Sequence, residues 1–225
     1  MLLAGAIRAG AGDGGRLDRK PGESVAPDLP VSLVARPRFV SRGGEKLDAA
    51  LDAFAIDATG RVCLDVGAST GGFTDVLLRR GAARVYALDV GRGQLAEVLR
   101  QDPRVVSMER THAARLDPAA DDHVALPEKA SLAVIDVSFI SLTRVLAGVK
   151  AALDTNGEIV ALVKPQFEAA PADVPHGVVR DAAVQRATVD KVVAYAATLR
   201  FKSRGEIESP LLGPKGNREF LVHLA

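Results

Sequence analysis

RVCLDVGASTGGFTDVLLRRG, residues 61–81, is the stretch on which the fold turns. RVCLDV is a short apolar run with β-branched residues, too brief for a buried helix, and it predicts a strand. GGFTDVLLRRG has the spacing of an amphipathic helix stopped by Gly81. Between them lie the small residues Gly67, Ala68, Ser69, Thr70 and Gly71, a turn through which backbone can come close to a ligand. The helix that follows starts with unbonded N–H groups facing the same place. The turn lacks the G-x-G-x-x-G spacing of dinucleotide sites, because Gly67 is followed by Gly71 and Gly72.

Outward from this unit, strand and helix patterns alternate. ARVYALDV (83–90) predicts a second strand, QLAEVLRQD (94–102) a second helix with Pro103 beyond it, and RVVSM (104–108) a third strand. SLAVID (131–136) is a fourth strand, followed by a helix through LTRVLAGVKAAL (142–153), and GEIVALVKP (157–165) is a fifth. The polar stretch QFEAAPADVPHGVVRD (166–181) leads into a helix from Ala182 to Leu199. FKSRGEIES (201–209) and NREFLVHL (217–224) are two closing strands joined by PLLGPKG, without a helix between them. The expectation is an α/β, Rossmann-like fold: a doubly wound, mostly parallel sheet with an antiparallel terminal strand. Ahead of it, Leu47, Ala50, Leu51 and Phe54 mark one helix face, and VSLVA (31–35) a short strand. Residues 1–36, rich in Gly, Pro and Arg, read as a separate element and linker, and 37–225 as the main domain.

Composition narrows the functional classes. A net charge of +1 points to no partner, although basic residues outnumber acidic ones as far as Lys46, a mild pull toward a polyanion. Aromatic residues are 4% with no Trp, which argues against stacking many bases at once. The single Cys63 excludes an intrachain disulfide and a cysteine zinc site. His112, His123 and His176 show no ligand spacing, so no metal is expected. No apolar run of about 18 residues exists, and MLLAGAIRAGAG lacks a secretory pattern; a cytoplasmic chain with no membrane partner is expected.

Acidic residues recur at the carboxyl ends of successive strands: Asp65, then Asp89, then Glu109 after the third strand, then Asp136. An acid about twenty residues beyond the first turn can hold ribose hydroxyls. The set suits a cofactor carrying a ribose, an amino group and a sulfonium, which is S-adenosylmethionine, and suits a dinucleotide phosphate poorly. The candidate cofactor residues are Asp65, Gly67, Ala68, Ser69, Thr70, Gly71, Phe73, Asp89, Val90, Glu109 and Asp136. Asp136, Lys164 and Glu219 also stand at strand ends, and Lys46 lies on the first helix. A lysine within LVKPQF is costly to bury unless paired, and such a setting is what a general base for a sugar hydroxyl needs. Each of these four has a structural alternative as an ion pair or a solvated side chain, Lys46 most of all.

Seven motifs occur in order: FVSRGGEKL (39–47), DVGASTGGFTD (65–75), ALDVGRGQL (87–95), DVSFISL (136–142), KPQFE (164–168), GVVRD (177–181) and GPKGNREF (213–220). Together they resemble the TlyA, or hemolysin A-like, family of ribosomal RNA 2′-O-ribose methyltransferases, over about residues 20–225. The resemblance implies a domain of the FtsJ group with a Lys–Asp–Lys–Glu tetrad, falling motif by motif on Lys46, Asp136, Lys164 and Glu219. It implies Lys164 as base, the other three orienting the hydroxyl, Gly67 to Gly71 along the methionine end of the cofactor, and Asp89 at its ribose. Ribosomal RNA or a ribosomal subunit would be the partner, and cytidine the nucleoside.

Two departures from the family are visible. The family opens with a complete RNA-binding domain of the type named after ribosomal small-subunit protein four. Here AGAIRAGAGDGG and KPGESVAPDLPVSLV resemble only its closing β-region, so residues 1–36 are expected to be a remnant that grips RNA weakly. MERTHAARL (108–116) places His112 where the family tends to have Asn. Three competing readings are a non-catalytic RNA-binding protein on this fold, a pore-forming cytolysin, and a nicotinamide dehydrogenase. The complete tetrad opposes the first. The second lacks any membrane-active segment, and the third lacks the fingerprint spacing and a hydride-transfer residue.

Overall fold

A computed structural model describes residues 7–9, 28–33 and 37–225. The chain divides into two compact units, Met1–Arg38 and Phe39–Ala225. In the first, β1 (Ile7–Ala9) pairs antiparallel with β2 (Val31–Leu33), Ile7 facing Leu33 and Ala9 facing Val31. The turn expected at KPGESVAPD and the basic side chains Arg16, Arg19, Lys20 and Arg36 lie outside the described residues.

The second unit opens with α1 (Gly43–Ala53) and then runs through β3 (Val62–Val66), α2 (Gly72–Arg79), β4 (Arg84–Leu88), α3 (Glu97–Arg100), β5 (Val105–Met108) and β6 (Ala130–Ile135). It continues as α4 (Leu146–Ala152), β7 (Leu153–Val163), α5 (Pro165–Glu168), α6 (Ala182–Thr198), β8 (Ser203–Glu208) and β9 (Phe220–Leu224). The strands form one sheet in the order β5-β4-β3-β6-β7-β9-β8. Pairing is parallel from β5 to β7, while β9 runs antiparallel to both β7 and β8. The expected antiparallel terminal strand is therefore present. It inserts between β7 and β8 instead of lying at the edge.

Two apolar layers cover this sheet because its central strands send alternate side chains to opposite faces. Leu132 and Val134 of β6 join Leu47 and Leu51 of α1 and Val76 and Leu77 of α2. Ala133 and Ile135 join Leu146 and Val149 of α4 and Val189 and Val192 of α6. The sheet is wound outward in both directions from β3 and β6, which are neighbours although far apart in sequence. Ligands of such sheets sit at the carboxyl ends of the strands at this switch point.

Local differences from the expected elements have identifiable causes. The helix expected over 94–102 shrinks to Glu97–Arg100, since Ala96 is extended at its start and Gln101 closes it before Pro103. β9 begins at Phe220, three residues later than the apolar run suggests. Asn217 is taken up instead in anchoring a turn: it accepts from Val179 N–H at 3.0 Å and donates to the Gly177 and Pro214 carbonyls at 2.8 and 3.1 Å. Among the described residues no helix is long and apolar enough to cross a membrane, and no group of three or more His, Cys, Asp or Glu is placed to hold a metal.

Gly148 shows how tightly the layers close. A Cβ there would meet the Ala113 carbonyl oxygen at 2.4 Å. Exchange of glycine for alanine in a helix ordinarily stabilises by about 1 kcal/mol, but here overpacking wins. Gly148→Ala is predicted to lower stability by about 1–3 kcal/mol in urea unfolding.

Candidate active site

The switch point places Gly67, just past β3, against Asp136, just past β6. Asp136 N–H donates to the Val66 carbonyl at 2.9 Å, extending the ladder by one bond. A Cβ on Gly67 would lie 2.4 Å from the Asp136 carbonyl oxygen, and its φ of 87° is one that glycine adopts without strain. Gly71, at φ 95°, caps α2 and turns the chain into that helix.

Two cavities open on either side of this contact, and both are lined by Gly67, Ser69 and Asp136. The larger, about 940 Å³, is walled by Leu88, Asp89, Val90, His112, Val137 and Phe139, among others. The smaller, about 300 Å³, holds Lys46, Lys164, Glu219, Ala68, Thr70 and Phe73. All four tetrad residues thus border the small cavity, while Asp89 and Val90 border the large one. Gly71 borders neither, and Glu109 is drawn aside: its carboxylate accepts from Gly93 N–H at 2.7 Å and lines a minor recess beside Asp89.

Four separate elements deliver the tetrad. Lys46 rides on α1, which is tied to the end of α2 by an ion pair between Asp48 and Arg80. Its Nζ meets Glu219 Oε2 at 2.5 Å, and Glu219 is fully buried. Glu219 comes from the residue before β9, with Gln166 Nε2 at 3.5 Å from its other oxygen. Lys164 directly follows β7, with Nζ 2.5 Å from Asp136 Oδ1 and 2.9 Å from Ser138 Oγ. The pairs Lys46–Glu219 and Lys164–Asp136 face one hollow, so the structure brings together the four residues that the sequence scattered over 174 positions, from 46 to 219.

The carboxylates explain what the large cavity can hold. Asp89 accepts from Ser69 N–H at 2.8 Å and from Gly91 N–H at 2.7 Å, so it ties the glycine turn to the β4 end while facing the cavity. Asp65 is fully buried; Thr74 donates to its Oδ2 at 2.6 Å, and its Oδ1 has no partner. Burial pushes the Asp65 carboxyl up to about 7, with the Thr74 hydrogen bond opposing and the charges of Asp136 and Asp89 adding to the rise. Asp89 and Asp136, both on the wall of the large cavity, fit a cationic ligand with ribose hydroxyls better than a phosphate. His112 Nδ1 accepts from Ala114 N–H at 3.1 Å, so its neutral ring carries the proton on Nε2, on the wall of the large cavity.

Ser138, Phe139, Phe167 and His112 are cavity residues to which the sequence assigned no role. The first three lie inside DVSFISL and KPQFE, next to the tetrad members, and adjacency was the only signal they gave. Asn217 likewise sits inside GPKGNREF, and only its hydrogen bonds to Val179, Gly177 and Pro214 reveal its anchoring task.

A doubly wound sheet whose switch point carries a glycine turn, a strand-end acid on the cavity wall and a Lys–Asp pair over an open crevice defines a Rossmann-type methyltransferase. The profile of the FtsJ-like methyltransferases matches residues 39–225. The chain is 48% identical over 208 residues to the 16S/23S rRNA (cytidine-2′-O)-methyltransferase TlyA of Mycobacterium tuberculosis, spanning 91% of this chain and 76% of that protein. It is 41% identical over 194 residues to hemolysin A of Brachyspira hyodysenteriae, spanning 86% and 79%. A crystal structure described as a hemolysin from Lactococcus lactis superposes with a TM-score of 0.79 at 48% identity, covering 84% of this chain and 89% of that one. The chain belongs to the FtsJ-like methyltransferase family, among its TlyA and hemolysin A-named members.

Two outcomes follow from this geometry. Since folded Asp65 keeps its proton to a higher pH than the unfolded chain does, the ligand-free protein loses stability as pH rises from about 4 to about 7. Asp65→Asn keeps an acceptor for Thr74 and should remove that decline, gaining up to about 4 kcal/mol at about pH 8, read by urea unfolding across the range. Gly213 has an ordinary backbone, yet a Cβ there would lie 2.0 Å from Glu219 Oε1. Gly213→Ala should displace that carboxylate from Lys46 and lower methyl transfer about 100-fold, with cofactor affinity by calorimetry within about twofold of wild type.

Proposed function

We propose that this chain transfers the methyl group of S-adenosylmethionine to the 2′-hydroxyl of a cytidine ribose in ribosomal RNA. The observation that carries the reading is the pair of cavities meeting at Gly67, Ser69 and Asp136, with Lys164 beside the junction. The large cavity takes the cofactor, with Asp89 at its ribose and the turn from Gly67 to Gly71 near its methionine end. The buried, half-satisfied Asp65 beneath the turn and the concentration of carboxylates suit its positive charges. When bound, S-adenosylmethionine supplies an electrophilic methyl group on a sulfonium.

The small cavity takes the target ribose. Lys164 accepts the proton of O2′, and Asp136 holds Lys164 in place. Lys46, gripped by Glu219, presents positive charge to the oxygen as it becomes more nucleophilic. Low aromatic content suits an enzyme that acts on one extruded nucleotide and does not read a long single strand. Residues 37–225 form the catalytic domain, and residues 1–36 belong to an RNA-facing element. A ribosomal RNA substrate places the work in the cytoplasm.

Purified small and large ribosomal subunits, incubated with the chain and methyl-labelled S-adenosylmethionine, provide the test. Labelled 2′-O-methylcytidine should appear in digested RNA with the wild-type chain. With Lys164→Ala it should fall by at least about 100-fold, cofactor affinity staying within about threefold. Label on a base or on protein, or a Lys164→Ala chain that keeps most of its turnover, would overturn the reading.

A further inference from the structure

Lys164 is held by two oxygens from one short loop. Its Nζ lies 2.5 Å from Asp136 Oδ1 and donates to Ser138 Oγ at 2.9 Å. A lysine nitrogen is tetrahedral, so three positions remain after its bond to Cε. One of them is committed to the Ser138 hydroxyl, while the Asp136 carboxylate attracts the nitrogen as an ion pair without hydrogen-bond geometry at Oδ1, so the head group is held from two sides. One contact alone would leave the nitrogen free to swing about its last side-chain bonds, and a general base whose lone pair wanders loses rate steeply.

The loop is built to hold Ser138 still. Upstream, Asp136 N–H is bonded to the Val66 carbonyl. Downstream, the buried Glu168 carboxylate accepts from Ser141 Oγ and Leu142 N–H, each at 2.6 Å, and pairs with Lys191 Nζ at 3.1 Å. Between these anchors the chain turns at Phe139, whose φ of 65° is left-handed and whose largely exposed ring leans on Phe167, with centroids 5.1 Å apart. The serine hydroxyl is thereby carried to the wall of the large cavity, while Lys164 and Asp136 line the small one.

We infer that Ser138 is a positioning residue which, together with Asp136, aims Nζ of Lys164 at the acceptor oxygen. The inference rests on the methyltransferase reading above for its kinetic consequence, and on the two oxygen contacts for its geometry. The effect of Ser138 passes through Lys164.

Ser138→Ala and Ser138→Thr test it, the latter keeping the hydroxyl. In Ser138→Ala, kcat should fall by about tenfold or more, with KM for ribosomal subunits and the Kd for S-adenosylmethionine within about twofold of wild type, and Ser138→Thr should restore most of the loss. ¹⁵N relaxation of the lysine ammonium groups gives a readout independent of turnover: the Lys164 order parameter should drop in Ser138→Ala and recover in Ser138→Thr. An alanine variant with wild-type kcat, or one whose cofactor affinity falls in step with kcat without rescue by threonine, would overturn the inference. Should the wild-type chain transfer no methyl at all, the functional reading falls, and an unchanged Lys164 order parameter in Ser138→Ala would still sink the positioning role by itself.

Discussion

At the centre of the crevice Gly67 lies against the carbonyl of Asp136, where a single added carbon would sit 2.4 Å from the oxygen. That distance follows from parallel pairing of β3 with β6, in which Val66 opposes Ile135 and the two chains leave the sheet side by side. Once they leave together, the glycine turn must bend one way and the Asp136 loop the other, and the space between the strand ends is divided in two. One half is walled by β4 and its acid, the other by α1, the end of β7 and the start of β9. The chemistry assigned to the two halves depends on their sharing this narrow boundary, because a methyl group can move only a bond length or so between donor and acceptor.

Charge is distributed in the same pattern. Among the described residues Asp65 and Asp89 have no lysine or arginine partner: Asp65 is supported by Thr74, Asp89 by two backbone N–H groups. Such support holds both side chains in position, and at Asp89, which borders the large cavity, it leaves the carboxylate without a neutralising cation. Asp136 and Glu219, in contrast, each meet a lysine at 2.5 Å. Buried pairs of this kind add little net stability, since desolvation offsets most of the attraction. Their value here is directional: each lysine is held against one wall while it borders the hollow in which a ribose would lie.

Much of this arrangement was legible in residues 61–81 and the alternation around them, because burial on both faces of a parallel sheet leaves short apolar runs that a helix cannot imitate. Strand-end acids were legible for the same reason, since they interrupt those runs at a fixed place. What the sequence could not convey was which acids reach the crevice. Asp89 and Glu109 occupy equivalent strand ends, yet Glu109 is diverted to Gly93 N–H by the glycine-rich loop after β4. Ser138 and Asn217 were invisible as well, since their roles depend on partners 26 and 38 residues away. Lys46 was the weakest candidate on spacing alone. Only the packing of α1 on α2 carries it to Glu219, and the family resemblance supplied that link before the structure did.

The central claim is that the two cavities are a donor site and an acceptor site joined at Gly67 and Asp136. A crystal structure of the chain with a non-reactive S-adenosylmethionine analogue and a short RNA containing the target cytidine tests it directly. The account predicts the cofactor's ribose on Asp89, its sulfur-equivalent centre at the Gly67–Asp136 boundary, and the ribose O2′ of RNA within hydrogen-bond distance, about 2.7–3.2 Å, of Lys164 Nζ. An analogue bound elsewhere, or an acceptor oxygen lodged away from Lys164 with the cofactor in place, would contradict it.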